Sequence, residues 1–330
     1  MMETNTTKSN DQLEKSCVFV LSNIDVDGEL PIEVAPNHFF QRANVQQIKK
    51  IKRLINLCKP SLQPYPFPII YELDIIKETG DKPGSFRYQH KPLPEDKWRY
   101  WVITFEGTNS EIKYIESAAS LLRKDLELGF TIFGRSSLVA GEAYIWHGQS
   151  LFSFFDSGEE KRPAELVTEN ELREIRENYD LVKRISPDHE HITRAFRKFR
   201  DLKSLPRNSE LVIIGLFSMI ESLITHSPSN KNIDDSLTHQ IKTKIPLLSK
   251  RFRRELDYGK YFQPTSEDTI WSKLYDYRSR IVHGEHCNID VSLQILKDAE
   301  TVREFLREVL KLLFLLALNE PVLLTDLKKC

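Results

Sequence analysis

The chain has 330 residues, long enough for two domains with cores of their own. Its composition, 40% hydrophobic and 29% charged, is ordinary for a soluble protein, and a net charge of −1 excludes a global pull toward nucleic acid, so any RNA contact needs a local basic patch. Cys17, Cys58, Cys287 and Cys330 are scattered and form no C-x-x-C pair, which argues against a zinc ribbon or a disulfide framework and fits a reducing cytoplasm.

Met1 to Ser16 is polar and is expected to be disordered, with no signal peptide. An α+β domain is expected over 17–156. Cys17–Leu21 and Leu30–Val34 read as strands around a turn at Asp25-Val26-Asp27-Gly28. Asn44–Cys58 reads as a helix with Ile48, Ile51, Ile55 and Cys58 on one side. For its Lys49, Lys50, Lys52 and Arg53 a solvated face is favoured over a nucleic-acid contact. Pro60–Pro68 is a connection, Ile69–Ile76 and Trp98–Phe105 are strands, and Thr79–Asp96, punctuated by glycine and proline, is a long loop. Asn109-Ser110 caps a helix to about Leu128, followed by strands at Phe130–Phe133, Leu138–Trp146 and Ser150–Phe155. His38, His90 and His147 stand alone, a pattern more often structural than catalytic. Nothing in this half names a chemistry; a sensing or gating role is left by elimination.

Residues 157–185 are expected to be a linker, Ser157–Pro163, and a charged connecting helix opened by a Thr168-x-x-Glu171 capping box. From 186 to 330 strand signals vanish. The helix Glu190–Ser204 puts Ile192, Ala195, Phe196, Phe199 and Leu202 on one face and Arg194, Arg197, Lys198, Arg200 and Lys203 on the other. A helix capped by Ser209 carries one polar stripe, Ser218, Glu221, Ser222 and Thr225, facing either solvent or a polar cleft. Pro228–Asp235 is a loop, and a helix over 236–250 is expected to kink at Pro246. Arg251, Arg253 and Arg254 form a second basic group. Ser266 caps a helix that Gly284 ends, and Val291–Leu318 is a long spine helix. Its apolar run, Leu312–Leu318, is well below the roughly 18–20 residues that span a bilayer, so no membrane association and a cytoplasmic location are expected.

The stretch WSKLYDYRSRIVHG, Trp271–Gly284, contains Arg278 and His283 in the spacing Arg-x4-His. Arg184 and His189 share that spacing, but Ser186-Pro187-Asp188 interrupts any helix through them. Ile270, Leu274, Tyr277 and Ile281 form the expected core stripe, with Arg278 at its shoulder beside Trp271. His283 lies about 140° around the helix from Arg278, so the two diverge unless the helix end frees His283 or the arginine reaches back over Tyr275 and Ser279. A two-fold partner would bring a second pair across the same cleft, and Tyr275 and Trp271, if exposed, would suit its interface. A neutral-pH imidazole can move the proton of a ribose 2′-OH, and a guanidinium can hold the phosphate as its charge grows. That chemistry needs no metal or other cofactor.

HITRAFRKF, LVIIGLFSMIESLIT and LYDYRSRIVHG together resemble a HEPN domain of the Apea-like branch, over Ser186–Leu318. The resemblance implies an all-α HEPN helical bundle that dimerises around paired Arg-x4-His motifs and cuts RNA without metal, often in prokaryotic antiviral defence (abortive infection). It assigns Arg278 and His283 as catalytic, with Glu221 an acidic neighbour; Ser279 stands where many relatives have Asn, Asp or His. Ser279 and Tyr275 are supporting candidates. Arg194, Arg197, Lys198, Arg200, Arg251, Arg253 and Arg254 are candidate nucleic-acid contacts, against a solubilising role. The expected partners are a second copy of the chain, an RNA substrate, and a phage trigger or an antitoxin. The alternatives are a non-catalytic RNA- or nucleotide-binding module, or the toxin of a toxin–antitoxin pair.

Overall fold

The strand β1 (Ser16–Val20) is apolar at nearly every position, the pattern of a strand covered on both faces. In the computed structural model, which describes residues 15–57, 70–79, 86–124, 126–134, 144–146, 163–185, 187–206, 209–227, 236–285 and 289–329, β1 lies inside a six-stranded antiparallel sheet. With β2 (Ile24–Asp27), β3 (Ile32–Ala35), β4 (His38–Arg42), β5 (Leu73–Thr79), β6 (Phe86–Pro92), β7 (Trp101–Phe105), β8 (Leu128–Ile132) and β9 (Tyr144–Trp146), the sheet order is β3-β4-β7-β1-β8-β9. Every residue of β7 and β8 is buried. His38 is a core residue: its Nδ1 lies 2.8 Å from the Pro36 carbonyl and its ring stacks on Phe105.

Two local readings are corrected by long-range pairing. The expected turn at Asp25–Asp27 is β2, paired in parallel with β10 (Glu165–Thr168). Asp25 is there to hold Arg99, whose Nε and Nη2 donate to its two carboxylate oxygens at 2.8 and 2.9 Å, while Nη1 donates to the Leu73 carbonyl at 2.7 Å. A buried guanidinium needs such partners. The expected loop Thr79–Asp96 contains β6, which pairs with β5 along seven residues and keeps its proline at the strand end.

Helix α1 (Val45–Leu57) starts on a reciprocal cap, Gln47 N–H to Asn44 Oδ1 and Asn44 N–H to Gln47 Oε1. Its Lys52 is half-buried, paired with Glu72 and 4.4 Å from the Trp98 ring centroid, so that part of the basic face packs rather than floats. Helix α2 (Ile112–Ala119) is shorter than expected. Helix α3 (Glu169–Arg184) opens on the expected capping box, with Thr168 N–H donating to Glu171 Oε2 and Glu171 N–H to Thr168 Oγ1.

A helical region follows: α4 (Glu190–Asp201), α5 (Glu210–Ile224), α6 (Leu237–Ser249), α7 (Tyr258–Tyr261), α8 (Glu267–Val282), α9 (Ala299–Asn319) and α10 (Pro321–Leu327). Helix α6 runs through Pro246. The expected spine from Val291 is broken, because Lys297 has a positive φ and Asp298 caps a fresh start for α9. The core is a single cluster in which α9 contributes Val302 to Ala317 and α5 Val212 to Ile224. Buried Lys244 donates to the Ile224 and Leu327 carbonyls at 3.0 and 2.9 Å, satisfying the ends of two helices.

The chain divides into two compact units, 1–112 with 127–148 and 161–173, and 113–126 with 149–160 and 174–330. The β-rich unit thus takes β10 and the start of α3, whereas most of α2 belongs with the helices. Of Met1–Ser16 only the last two residues are described. Cys58, Pro60–Pro68, His147, Ser150–Phe155, all of Ser157–Pro163 except Pro163, Pro228–Asp235, His286, Cys287 and Cys330 lie outside the described residues. Among the described residues no helix is long and apolar enough to cross a membrane.

Candidate active site

Helix α8 is fixed at both ends. Ser266 Oγ accepts the Thr269 N–H at 3.2 Å, and Glu267 and Asp268 complement the helix dipole. At the other end Gly284, at φ +70°, allows its own N–H to bond Ile281 O at 3.1 Å and the Glu285 N–H to bond Arg280 O at 3.0 Å, a Schellman closure. Ile270, Leu274, Tyr277 and Ile281 are buried as the periodicity predicts.

On the α5 side, Glu221 gathers two residues of α8. The Tyr275 hydroxyl donates to Glu221 Oε1 at 3.0 Å, and Arg278 Nη2 donates to Oε2 at 3.3 Å. The Glu221 side chain is 13% exposed and that of Arg278 27%, so this part of the α5 stripe faces a polar cleft while Ser218 stands in solvent. Burial, and then the Glu221 charge, push the Tyr275 phenol well above its ordinary range. It is therefore a neutral donor that orients Glu221. The Phe217 ring meets it edge-on at 5.1 Å.

Arg278 is incompletely satisfied. Its Nε is buried and has no hydrogen-bond partner, although a buried donor normally finds one. The guanidinium carbon lies over the Tyr275 ring, 5.9 Å from its centroid.

His283 is the C-cap, with near-helical φ −83° and ψ 0°, and its N–H bonds Ser279 O at 3.0 Å. The helix end therefore does not free it, and the divergence from Arg278 stands. Its ring is exposed and makes no hydrogen bond among the described residues, and Ser279 is exposed beside it. Trp271 is fully buried, donating from Nε1 to the Tyr258 hydroxyl at 3.1 Å and lying 5.7 Å from Phe305, so it offers nothing to an interface. Val282, in contrast, is 52% exposed, on the face it shares with Tyr275 and Arg278 at helical spacing.

The other basic candidates separate by partner. Arg254 is committed to buried Glu308, and Arg200 to Glu116. Arg194 pairs with Glu190, Arg251 with Glu320 and Arg253 with Glu177 in more exposed settings. Arg197 and Lys198 are exposed and make no hydrogen bond or ion pair among the described residues. The orphaned Arg278 Nε had no signal in the sequence, because it depends on which acceptor the folded helix fails to meet.

Protein-family models, curated proteins and solved structures contain no match to the chain.

Proposed function

We propose that the helical unit is a HEPN-type endoribonuclease, working in a homodimer and cutting RNA by attack of a 2′-OH on the adjacent phosphate, in prokaryotic antiviral defence. The observation that carries this reading is the Arg278 guanidinium, oriented by Glu221 and 27% exposed, whose open part can meet a phosphate oxygen. Glu221 and Tyr275 position the fork, and Arg278 meets the charge that builds on the phosphate.

His283 supplies the proton chemistry, its ring open to substrate at the end of the same helix. As the 2′-O–P bond forms and the P–O5′ bond breaks, one imidazole accepts the 2′-OH proton. That imidazole comes from the partner subunit, and the leaving O5′ takes its proton from water. The products carry a 2′,3′-cyclic phosphate and a free 5′-OH, and DNA is inert. Exposed Val282 beside the site fits burial in the dimer.

The test is incubation of the purified protein with assorted RNAs in EDTA. Cleavage to cyclic-phosphate ends is expected, with loss of at least about 100-fold in Arg278→Ala and in His283→Ala, the fold being retained. Binding without cleavage under all activating conditions would leave a non-catalytic RNA-binding module instead.

A further inference from the structure

Helix α9 carries three cations in one row, Arg303, Arg307 and Lys311, spaced so that each stands one turn beyond the last. None of them belongs to the Glu221–Arg278 cluster. Lys311 is 3% exposed, and its ammonium donates to the Leu122 and Arg123 carbonyls at 2.8 and 3.3 Å. Arg303 and Arg307 have no such acceptor. Both are half-buried, and neither makes a hydrogen bond or an ion pair among the described residues. Other half-buried arginines of the helical unit are matched, Arg200 by Glu116 and Arg254 by Glu308.

The acids nearby do not fill the gap. Asp298 accepts the Thr301 N–H as the cap of α9, and Glu300 and Glu304 stand exposed on the helix surface. Burial, and then the Arg307 charge, lower the Arg303 guanidinium below its ordinary range, although Glu300, Tyr277 and Asp298 pull the other way.

Like charges one turn apart on a helix repel, and a guanidinium withdrawn from water without an acceptor is costly. An anion held between the two forks removes both penalties. A carboxylate brings one charge and two oxygens, which serve one fork and leave the second arginine uncompensated. A phosphoryl group brings close to two charges and enough oxygens for both forks. We propose that Arg303 and Arg307 form an anion site on α9 that takes a dianionic phosphoryl group, as inorganic phosphate or at the end of a phosphomonoester.

Thermal unfolding of the full chain in about 10 mM inorganic phosphate, methyl phosphate, sulfate or acetate, at an ionic strength held constant with chloride, tests the site. Phosphate is expected to raise the midpoint by at least about 2 °C over acetate. Sulfate, of similar charge and shape, gives a comparable rise. An equal rise with methyl phosphate identifies an ester-linked group as the occupant, and a rise with phosphate but not with the ester identifies the free ion. Arg303→Gln and Arg307→Gln each remove the rise, yet in chloride alone neither lowers the midpoint, because each relieves the repulsion. Arg173→Gln, which removes an exposed arginine paired with Glu169, keeps the rise. The proposal is overturned by equal midpoints in phosphate and acetate, or by a rise that survives both arginine substitutions. Falling midpoints of both variants in chloride would mark the arginines as structural instead. Weakened RNA binding in the variants, with no phosphate response in the unmutated chain, would make the pair an RNA contact. The phosphate response is read without RNA cleavage.

Discussion

Glu221 serves two donors with one carboxylate, and both donors lie on α8. Removing it leaves the Tyr275 hydroxyl and a guanidinium without their acceptor in a half-buried place. Partial exposure of Arg278 limits the penalty, so Glu221→Ala is expected to cost about 1–2 kcal/mol in urea denaturation, and Glu221→Gln less because the amide oxygen still accepts from Tyr275. Unchanged stability in Glu221→Ala would mean the link does not form in solution. Because the folded Tyr275 phenol is raised, its contribution is whole below the unfolded value of about pH 10 and is lost as pH rises through the folded pKa. At neutral pH it therefore cannot act as the base of the proposed reaction. The polar stripe on α5 already placed Glu221 in sequence as either solvated or cleft-facing; only tertiary packing decides, because the deciding partners sit 54 and 57 residues away.

At the scale of elements, the end of α8 is held by a clasp beyond its cap. Arg280 donates to Asp290 Oδ2 and to Ser292 Oγ, each at 2.8 Å, and Ser292 Oγ donates to Asp290 Oδ1 at 2.6 Å. The Ser292 hydroxyl, then Arg280, lower the Asp290 carboxyl to about 2. Since the folded pKa is depressed, the clasp stabilises above the unfolded value of about 3.9 and is lost as pH falls through about 2. Asp290→Asn should therefore flatten the acid limb of a stability–pH curve between about pH 4 and pH 2, leaving its shape above pH 5 unchanged; an unaltered acid limb would exclude the clasp. Capping signals made such ends legible, since Thr168, Ser209 and Ser266 cap as their spacing indicates. Strands were less legible. The Asp25–Asp27 turn signal was outweighed by a parallel partner 141 residues away and by Arg99, and the proline-marked Phe86–Pro92 by its hairpin with β5. The break at Lys297 was hidden because apolar spacing continues across it from Leu293 and Leu296 into α9.

For the whole molecule, the proposed chemistry turns on whether one polypeptide or two build the site. Arg278 and His283 are separated by about 7.5 Å along α8 and about 140° around it, and near-helical backbone at His283 keeps them apart. Arg278 is turned toward α5 and His283 toward solvent, so a shared phosphate between them requires the histidine of the partner subunit. Mixed variants read this out. Arg278→Ala and His283→Ala proteins are each inactive alone. When they are mixed in equal amounts and allowed to exchange, half of the dimers are mixed, and each mixed dimer holds one site with both groups intact and one with neither. Recovered cleavage should approach about a quarter of the unmutated level, as two-fold symmetry requires. It should vanish if exchange is blocked by keeping the two proteins apart until assay. No recovery under free exchange would place the arginine and histidine of one chain in the same site, contrary to the divergence along α8. A monomer at assay concentration that still cleaves would remove the dimer from the mechanism altogether.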